Sequence, residues 1–284
     1  MITRHESCPD GIAGHYSGAM FKDAPAFQDH ILQQISERRQ HGDGIRTDFM
    51  YTDIAPSWAE SAYSTLEERR LICFKTYNPI TQVLKLRAMA TPLHNADQEW
   101  FARSREIWLN TGVLNPVERN MLLASANTKF RLTGYPFRGM EKAPNVGVQL
   151  NGTGLPRVVL ESAFSQSGES LRNDMLDWLL GGENAVQVVI LVNWRASQDT
   201  MLIRGDVDLY TLGRDGIPRL QERQQAYPRP PGPPGGQTLR LTRMMFFGNN
   251  IGPGRSPNDA FLMELDQLRT VAAMVMPSMG YEAA

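Results

Sequence analysis

Apolar positions recur along this chain with two different periods, and the switches between them mark out its elements. Phe27, Ile31 and Ile35 recur at helical spacing and predict a short helix within Phe27–Gln40, before the turn-rich His41-Gly-Asp-Gly44. Trp58 to Glu68 reads as a second helix. The period then drops to two. Arg70–Tyr77 and Gln82–Met89 are β-prone runs joined by the turn signal Asn78-Pro-Ile-Thr81, which predicts a hairpin. In its second strand Val83, Lys85 and Arg87 alternate with Leu84, Leu86 and Ala88. From Pro92 the helical period returns through Ala96, Trp100, Ile107 and Trp108, with Gly112 as the stop. Thr128–Thr133 and Val146–Leu150 are short strand candidates.

The clearest pattern follows. Arg157–Phe164 predicts a strand, and Ser165 or Ser167 caps a helix whose first turn holds Glu169. Leu171, Met175, Trp178 and Leu179 form its apolar stripe, and Gly181-Gly182 ends it. Val186–Trp194 is then a nearly continuous apolar run, as in a strand covered on both faces. Together these predict a βαβ unit with parallel strands. Met201–Leu212 reads as a hairpin or edge strand, and Leu239–Phe247 as a further strand. The Pro-rich segment 227–236 predicts an exposed loop. Ser256-Pro257 with Asp259 predicts the start of a last helix, with Phe261, Leu265, Leu268 and Ala272 as its buried stripe. Residues 1–56 hold no separate large apolar set, so they are expected to form an irregular arm beside an α/β domain over 57–284.

Composition narrows the classes. Apolar residues make up 42% of the chain, enough for a self-sufficient core. Lys+Arg number 29 against 30 Asp+Glu, so a histone-like protein is excluded, although a local basic groove is not. No apolar run is long enough to span a bilayer, and the start lacks the apolar core of a secretory signal. With only Cys8 and Cys73, no disulfide framework is expected. An intracellular protein, cytoplasmic or nuclear, without a membrane partner is the expectation.

Glu161 is the residue that most needs a reason. An acid inside Val-Val-Leu-Glu-Ser-Ala must be paired, hydrogen-bonded or metal-bound if it is buried. It either faces outward or pairs with an arginine, or it belongs to a metal site together with Asn145, which precedes the strand sixteen residues earlier. His94 stands at a helix start, where it caps, packs or contacts substrate. The histidines and cysteines show no zinc spacing, and Gly248-Asn-Asn-Ile-Gly252-Pro-Gly254 lacks the spacing of a phosphate loop. The tryptophans at 58, 100, 108 and 178 read as core. Arginines cluster between 195 and 245, either as a mixed solvated face or as a rim facing nucleic acid.

Several segments taken in order carry a resemblance. They are Met89-Ala-Thr-Pro-Leu-His94, Phe130-Arg-Leu-Thr-Gly134, Glu141-Lys-Ala-Pro-Asn145, Leu155-Pro-Arg-Val-Val-Leu-Glu-Ser-Ala-Phe-Ser-Gln-Ser167, Asp174-Met-Leu-Asp-Trp-Leu179 and Val186-Gln-Val-Val-Ile-Leu-Val192. From about Arg70 onward the chain resembles a large family of mostly uncharacterised fungal proteins, which in turn look like restriction-endonuclease-like domains of the PD-(D/E)XK superfamily. The resemblance implies an α/β fold, a mixed central sheet flanked by helices. It also implies a site where an acidic pair holds Mg²⁺ or Mn²⁺ and a lysine orients water and stabilises the scissile phosphate. It carries the metal-ligand positions to Asn145 and Glu161, the catalytic ones to Glu161, Lys142 and Arg172, and substrate contacts to His94 and Arg157.

The chain departs from that pattern at each chemical position. The aspartate is Asn145, an oxygen donor without charge, and the lysine position is Ala163. No lysine occurs after Lys142, which in extended chain would face away from the metal position. Arg172 could neutralise a phosphate, but with a pKa above ~12 it is a poor base. The resulting expectation is a nuclease-fold protein that has lost catalysis and binds nucleic acid or a protein partner. The alternatives are a Mg²⁺- or Mn²⁺-dependent phosphodiesterase using Glu161, and a purely structural interaction protein.

Overall fold

A computed structural model describes residues 12–40, 47–69, 71, 73–88, 92–164, 169–197, 199–233 and 235–284. The first elements are β1 (Ile12–Ser17), α1 (Ala24–Gln40), β2 (Thr47–Thr52), α2 (Pro56–Glu68), β3 (Cys73–Asn78) and β4 (Val83–Ala88). β1 pairs parallel with β2, and β2 and β3 flank β4 in antiparallel pairing. Phe27, Ile31 and Ile35 of α1 and Ala59, Ala62 and Leu66 of α2 close a core with Phe49, Tyr51, Leu84 and Leu86. The segment 1–56 is therefore not an irregular arm where it is described. Its apolar residues are half of a core whose other half comes from 59–86, so neither stretch shows a complete set alone. The hairpin between β3 and β4 forms as the sequence predicts, with the Asn78 side chain accepting from the Ile80 and Thr81 amides at 2.9 and 3.2 Å.

The chain continues through α3 (Ala96–Asn110), α4 (Pro116–Met121), β5 (Leu122–Ser125), β6 (Phe130–Arg131), β7 (Glu141–Lys142), β8 (Val146–Leu150), β9 (Val158–Phe164), α5 (Glu169–Gly181), β10 (Val188–Ser197), β11 (Leu202–Leu212) and β12 (Pro218–Tyr227). It ends with β13 (Thr238–Thr242), α6 (Arg243–Phe247), β14 (Ala260–Glu264), α7 (Leu265–Val275) and β15 (Glu282–Ala283). The central sheet runs β12-β11-β10-β9-β8-β5, with β15 added beside β11. Only β9–β10 and β11–β15 are parallel pairs, so the sheet is mixed. The predicted βαβ unit is β9-α5-β10, and every residue of β9 is buried. Alternation along β9 divides the core. Val159 and Ala163 pack under α5 with Leu171, Met175 and Trp178, while Val158, Leu160 and Phe164 face the layer of α3 and α7. The fold is thus α/β, with helices on both faces of a mixed sheet.

The short β6 and β7 return to the first sheet, which reads β1-β2-β4-β3-β7-β6. This strap brings Lys142 to the junction between the two sheets.

Several boundaries differ from the sequence reading. Met201–Leu212 is not an edge: β11 lies between β10 and β12, and β12 is a strand its polar face concealed. The strand from Leu239 stops at Thr242 and becomes α6. The last helix starts at Leu265 rather than at Ser256, because residues 260–264 pair with β13. The Asp259 carboxylate instead closes a turn by accepting from the Ser256 amide at 3.1 Å. The Pro-rich segment 227–236 links β12 to β13 and is tied to Asp266 through the Arg229 side chain and the Gly235 amide. The caps proposed at Ser165 and Ser167, the His41–Gly44 turn and Cys8 lie outside the described residues. No described helix is long and apolar enough to cross a membrane.

Candidate functional site

β9 carries Glu161 into the α5 side of the sheet. β8 and β9 pair antiparallel with Val146 opposite Leu160, and Asn145 stands in the bend just before that pair, at the end of the register next to Glu161. Both residues are 2% exposed. Glu161 does not face outward. Its Oε1 accepts a 2.6 Å hydrogen bond from the Trp178 indole Nε1, one turn after Asp174 on α5. The tryptophan is core, as its spacing predicts, and is also the partner the buried acid needed.

Lys142 is held by two aspartates of α5. It is 3% exposed, with Nζ 2.5 Å from Asp174 Oδ1 and 2.8 Å from Asp177 Oδ2. The two aspartates stand at i and i+3 on α5, one face of the helix. From β4, Arg87 reaches Asp174 at 3.0 Å and Lys85 reaches Asp177 at 3.5 Å. The alternation seen in β4 thus sends Leu84 and Leu86 into the first core and Lys85 and Arg87 toward α5. This polar network clamps the first sheet to the second.

Its electrostatics follow from burial and pairing. Burial pushes the Glu161 pKa up, Asp174 adds to the push, and Lys142, Trp178 and Arg87 oppose it, leaving the group at about 7. Burial also works against ionised Asp174, but Lys142, Arg87 and Lys85 hold its carboxyl well below the usual range. For Lys142 burial would lower the pKa, and Asp174, Asp177 and Glu161 more than reverse that.

The sequence reading passed over Asp97. It is fully buried in α3, and burial, reinforced by the charge of Glu161, raises its carboxyl well above the usual value. Its Oδ2 has no hydrogen-bond partner. Its helix neighbours Ala96 and Trp100 belong to the core on the far side of the sheet from Trp178. An acid next to Ala96 and three residues before Trp100, on an apolar stripe, was the available signal. Asp174 and Asp177, among Leu171, Met175 and Trp178, gave the same signal.

The remaining candidates are dispersed. Arg157 donates Nε to the Met245 carbonyl at 3.1 Å and Nη2 to that of Met244 at 3.2 Å, which ties the start of β9 to α6. Arg172 lies exposed in the first turns of α5 and makes no hydrogen bond or ion pair among the described residues. His94 is in the short 3-10 turn Pro92–Asn95 before α3, and its side chain lies outside the described residues. The arginine-rich stretch is largely neutralised: Arg195 pairs with Asp206, Arg219 with Asp215, Arg223 with Asp208, Arg229 with Asp266, and Arg243 with Glu118 and Asp259.

A divalent-metal site of the expected kind needs several hard anionic oxygens around one point. Here Glu161 is already bonded to an indole, and Asp174, whose charge acts on it, is held by Lys142 and Arg87. No cluster of three His, Cys, Asp or Glu side chains suited to a metal ion occurs among the described residues. The donor set does not fit Mg²⁺ or Mn²⁺. No family model, curated protein or solved structure matches the chain.

Proposed function

We propose that this chain is a restriction-endonuclease-like scaffold whose catalytic position has become a structural polar core, and that it acts by binding a partner, nucleic acid or protein, rather than by cleaving phosphodiesters. The observation that carries this reading is the commitment of Lys142. Lys142, the lysine that the resemblance carries to the site, is buried between Asp174 and Asp177, where it can neither orient water nor meet a phosphate. The Trp178 bond to Glu161 and the missing charge at Asn145 support the same reading. Losing a charged transition-state contact costs on the order of several kcal/mol, so two such losses remove effective hydrolysis.

Calorimetric titration of Mg²⁺ and of Mn²⁺ into the purified chain, with Glu161→Ala as control, tests the reading. No saturable sub-millimolar binding that depends on Glu161 is expected. Binding that disappears in Glu161→Ala would restore the phosphodiesterase alternative. The double variant Asn145→Asp/Ala163→Lys supplies the positive arm, in which metal binding should emerge.

A further inference from the structure

On the same face of the central sheet as Glu161, farther toward the end of β9, lies a cavity of about 120 Å³. Three arginines from three elements line it: Arg172 of α5, Arg195 of β10 and Arg223 of β12. Asp206 and Asp208 of β11, between those two strands, complete the charged lining. Its floor is Leu171 and Leu191.

The two aspartates brace two of the arginines. Asp208 stands directly opposite Arg223 in the β11–β12 register and accepts from its Nε and Nη2, both at 2.6 Å. Asp206 accepts from Arg195 Nη2. A guanidinium has five N–H donors, so each braced arginine keeps donors to spare in a fixed orientation. Arg172 is braced by nothing and keeps all five among the described residues. The lining therefore has one more positive charge than negative, and the surplus sits on Arg172, which has no ion-pair partner among the described residues. One acceptor is also left over: Asn193 Oδ1 is buried without a hydrogen-bond partner. Asn193 lies between Ala163 and Asp206 in the strand registers, which puts this orphan at the cavity.

A ligand that completes this site presents anionic oxygens to guanidiniums and one hydrogen-bond donor to Asn193. The geometry points to a phosphate monoester headgroup as the occupant, its oxygens on Arg172, Arg195 and Arg223 and its P–OH donating to Asn193 Oδ1. Planar guanidinium forks match phosphate oxygens well. A sulfate has the same shape but no proton to give, and a phosphodiester has none either. The cavity is far smaller than the roughly 300–1,000 Å³ of sites that enclose whole drug-sized ligands, so only the headgroup enters and the rest of the molecule projects outward. The site does not depend on the fate of Glu161. Its test reads Arg172, whereas the metal titration reads Glu161, so the two can fail separately.

The test is titration calorimetry on the full chain at low salt and at pH 6, near the second pKa of a phosphate monoester, where about half of it keeps the P–OH. The probes are sodium phosphate, sodium sulfate, adenosine 5′-monophosphate, and one oligonucleotide with either a 5′-phosphate or a 5′-hydroxyl. Saturable phosphate binding is expected. Arg172→Ala should weaken it about 10- to 100-fold, the loss of a charge-assisted contact, with no change in thermal unfolding because Arg172 makes no hydrogen bond or ion pair among the described residues. Sulfate should bind less well than phosphate, and Asn193→Leu should erase that difference. The monophosphate binding tighter than the 5′-phosphorylated strand assigns the headgroup to a small metabolite, and the reverse order assigns it to a nucleic-acid end. Absence of phosphate binding, or equal binding by the wild type and Arg172→Ala, overturns the site. Equal binding of sulfate and phosphate overturns the monoester assignment.

Discussion

The indole of Trp178 donates to the carboxylate of Glu161 at 2.6 Å, inside a core where both side chains are at most 2% exposed. That bond gives a buried acid in an apolar strand a partner without using any of the three cations nearby. Those cations, Lys142, Lys85 and Arg87, are matched instead to Asp174 and Asp177. Glu161 is therefore the third anion of a group with three cations, and its ionisation completes charge balance. The Lys142 ammonium also lies 5.9 Å from the centre of the Trp178 ring, which joins the two halves of the network through one side chain.

Stability should depend on pH through Glu161. Its pKa is about 7 in the folded chain against 4.5 when exposed. A raised folded value means that the folded state keeps a proton the unfolded state gives up. The associated stability is present below pH 4.5 and is lost as pH rises through about 7. Glu161→Gln keeps an oxygen for the indole and removes the titration, so its stability relative to the wild type should climb over that window, by up to roughly 3 kcal/mol. Asp97 has a shift of the same sign to which the Glu161 charge adds, so both proteins are compared in an Asp97→Asn background, where Glu161 alone differs. Asp174, held low, contributes stability that is lost only as pH falls through the ordinary carboxylate range. Urea unfolding of both proteins between pH 5 and 8 decides it; parallel profiles would refute the assignment.

Replacing Lys142 should be among the most damaging single changes in the chain. Lys142→Met leaves Asp174 and Asp177 buried with only Arg87 and Lys85, both at the rim. Removing one partner of a buried pair typically costs about 3–5 kcal/mol, because the stranded charge has no water to turn to. The double variant Lys142→Met/Asp177→Asn should be less destabilised than the two single changes added together. A loss below about 1 kcal/mol in chemical denaturation would show that the network contributes nothing.

Trp178→Phe isolates the indole bond. The ring still fills the space under β9, but Glu161 loses its donor, and the cost should be about 1–3 kcal/mol with the Glu161 titration moving above 7. The readout is the pH dependence of unfolding, since a packing defect alone would lower stability equally at every pH.

What could be read from the sequence and what could not follows the range of the interactions. The β9-α5-β10 unit was legible because its period and glycine stop are local, and Phe27, Ile31 and Ile35 marked α1 for the same reason. The core that α1 builds was not legible, since it borrows Leu84 and Leu86 from a distant hairpin. β12 was hidden because its pairing uses backbone, and its side chains Arg219, Glu222 and Arg223 look like a solvated loop. At the candidate site, the oddness of Glu161 was visible in its strand, but its partner Trp178 read as plain core. The position of Lys142 depended on β7 joining the first sheet through Tyr77 and Glu141. No spacing within residues 141–145 encodes that. Asp174 and Asp177 were visible as acids on an apolar stripe, and that signal was the one to weigh.

Arg157→Ala separates an architectural role from a substrate-binding one. The guanidinium holds two carbonyls at the end of α6, and Gly248, just past them, has φ +55° with space for a Cβ only 3.0 Å from Arg157 Nη2. Loss of the side chain should cost about 1–2 kcal/mol in thermal or urea unfolding. Phosphate affinity at the Arg172 cavity should not change, because Arg157 is not among the residues that line it. A stable variant with weakened phosphate binding would reverse the assignment.

Arg243 offers the sharpest test of how the far face of the sheet is held. It is fully buried at the start of α6, with Nε 3.1 Å from Asp259 Oδ2, Nη2 2.6 Å from the Val113 carbonyl and Nη1 on Glu118 Oε1. The guanidinium carbon lies 5.1 Å from the centre of the Phe261 ring. Glu118 is shared: its other oxygen accepts from the Asn115 amide at 3.0 Å and completes the capping box of α4. Arg243→Met keeps the apolar stem but strands Glu118 in the core, so a loss of about 3–5 kcal/mol is expected. Arg243→Lys should recover little, since one ammonium cannot reach the three separate acceptors that the planar fork holds. Adding Glu118→Gln to Arg243→Met removes the stranded charge and leaves the cap intact, because glutamine serves at that position of a capping box. The double variant should therefore be more stable than Arg243→Met alone, with a coupling of about 1–3 kcal/mol in a double-mutant cycle. Strict additivity would mean that Arg243 acts through packing on Phe261 and that its charge is immaterial.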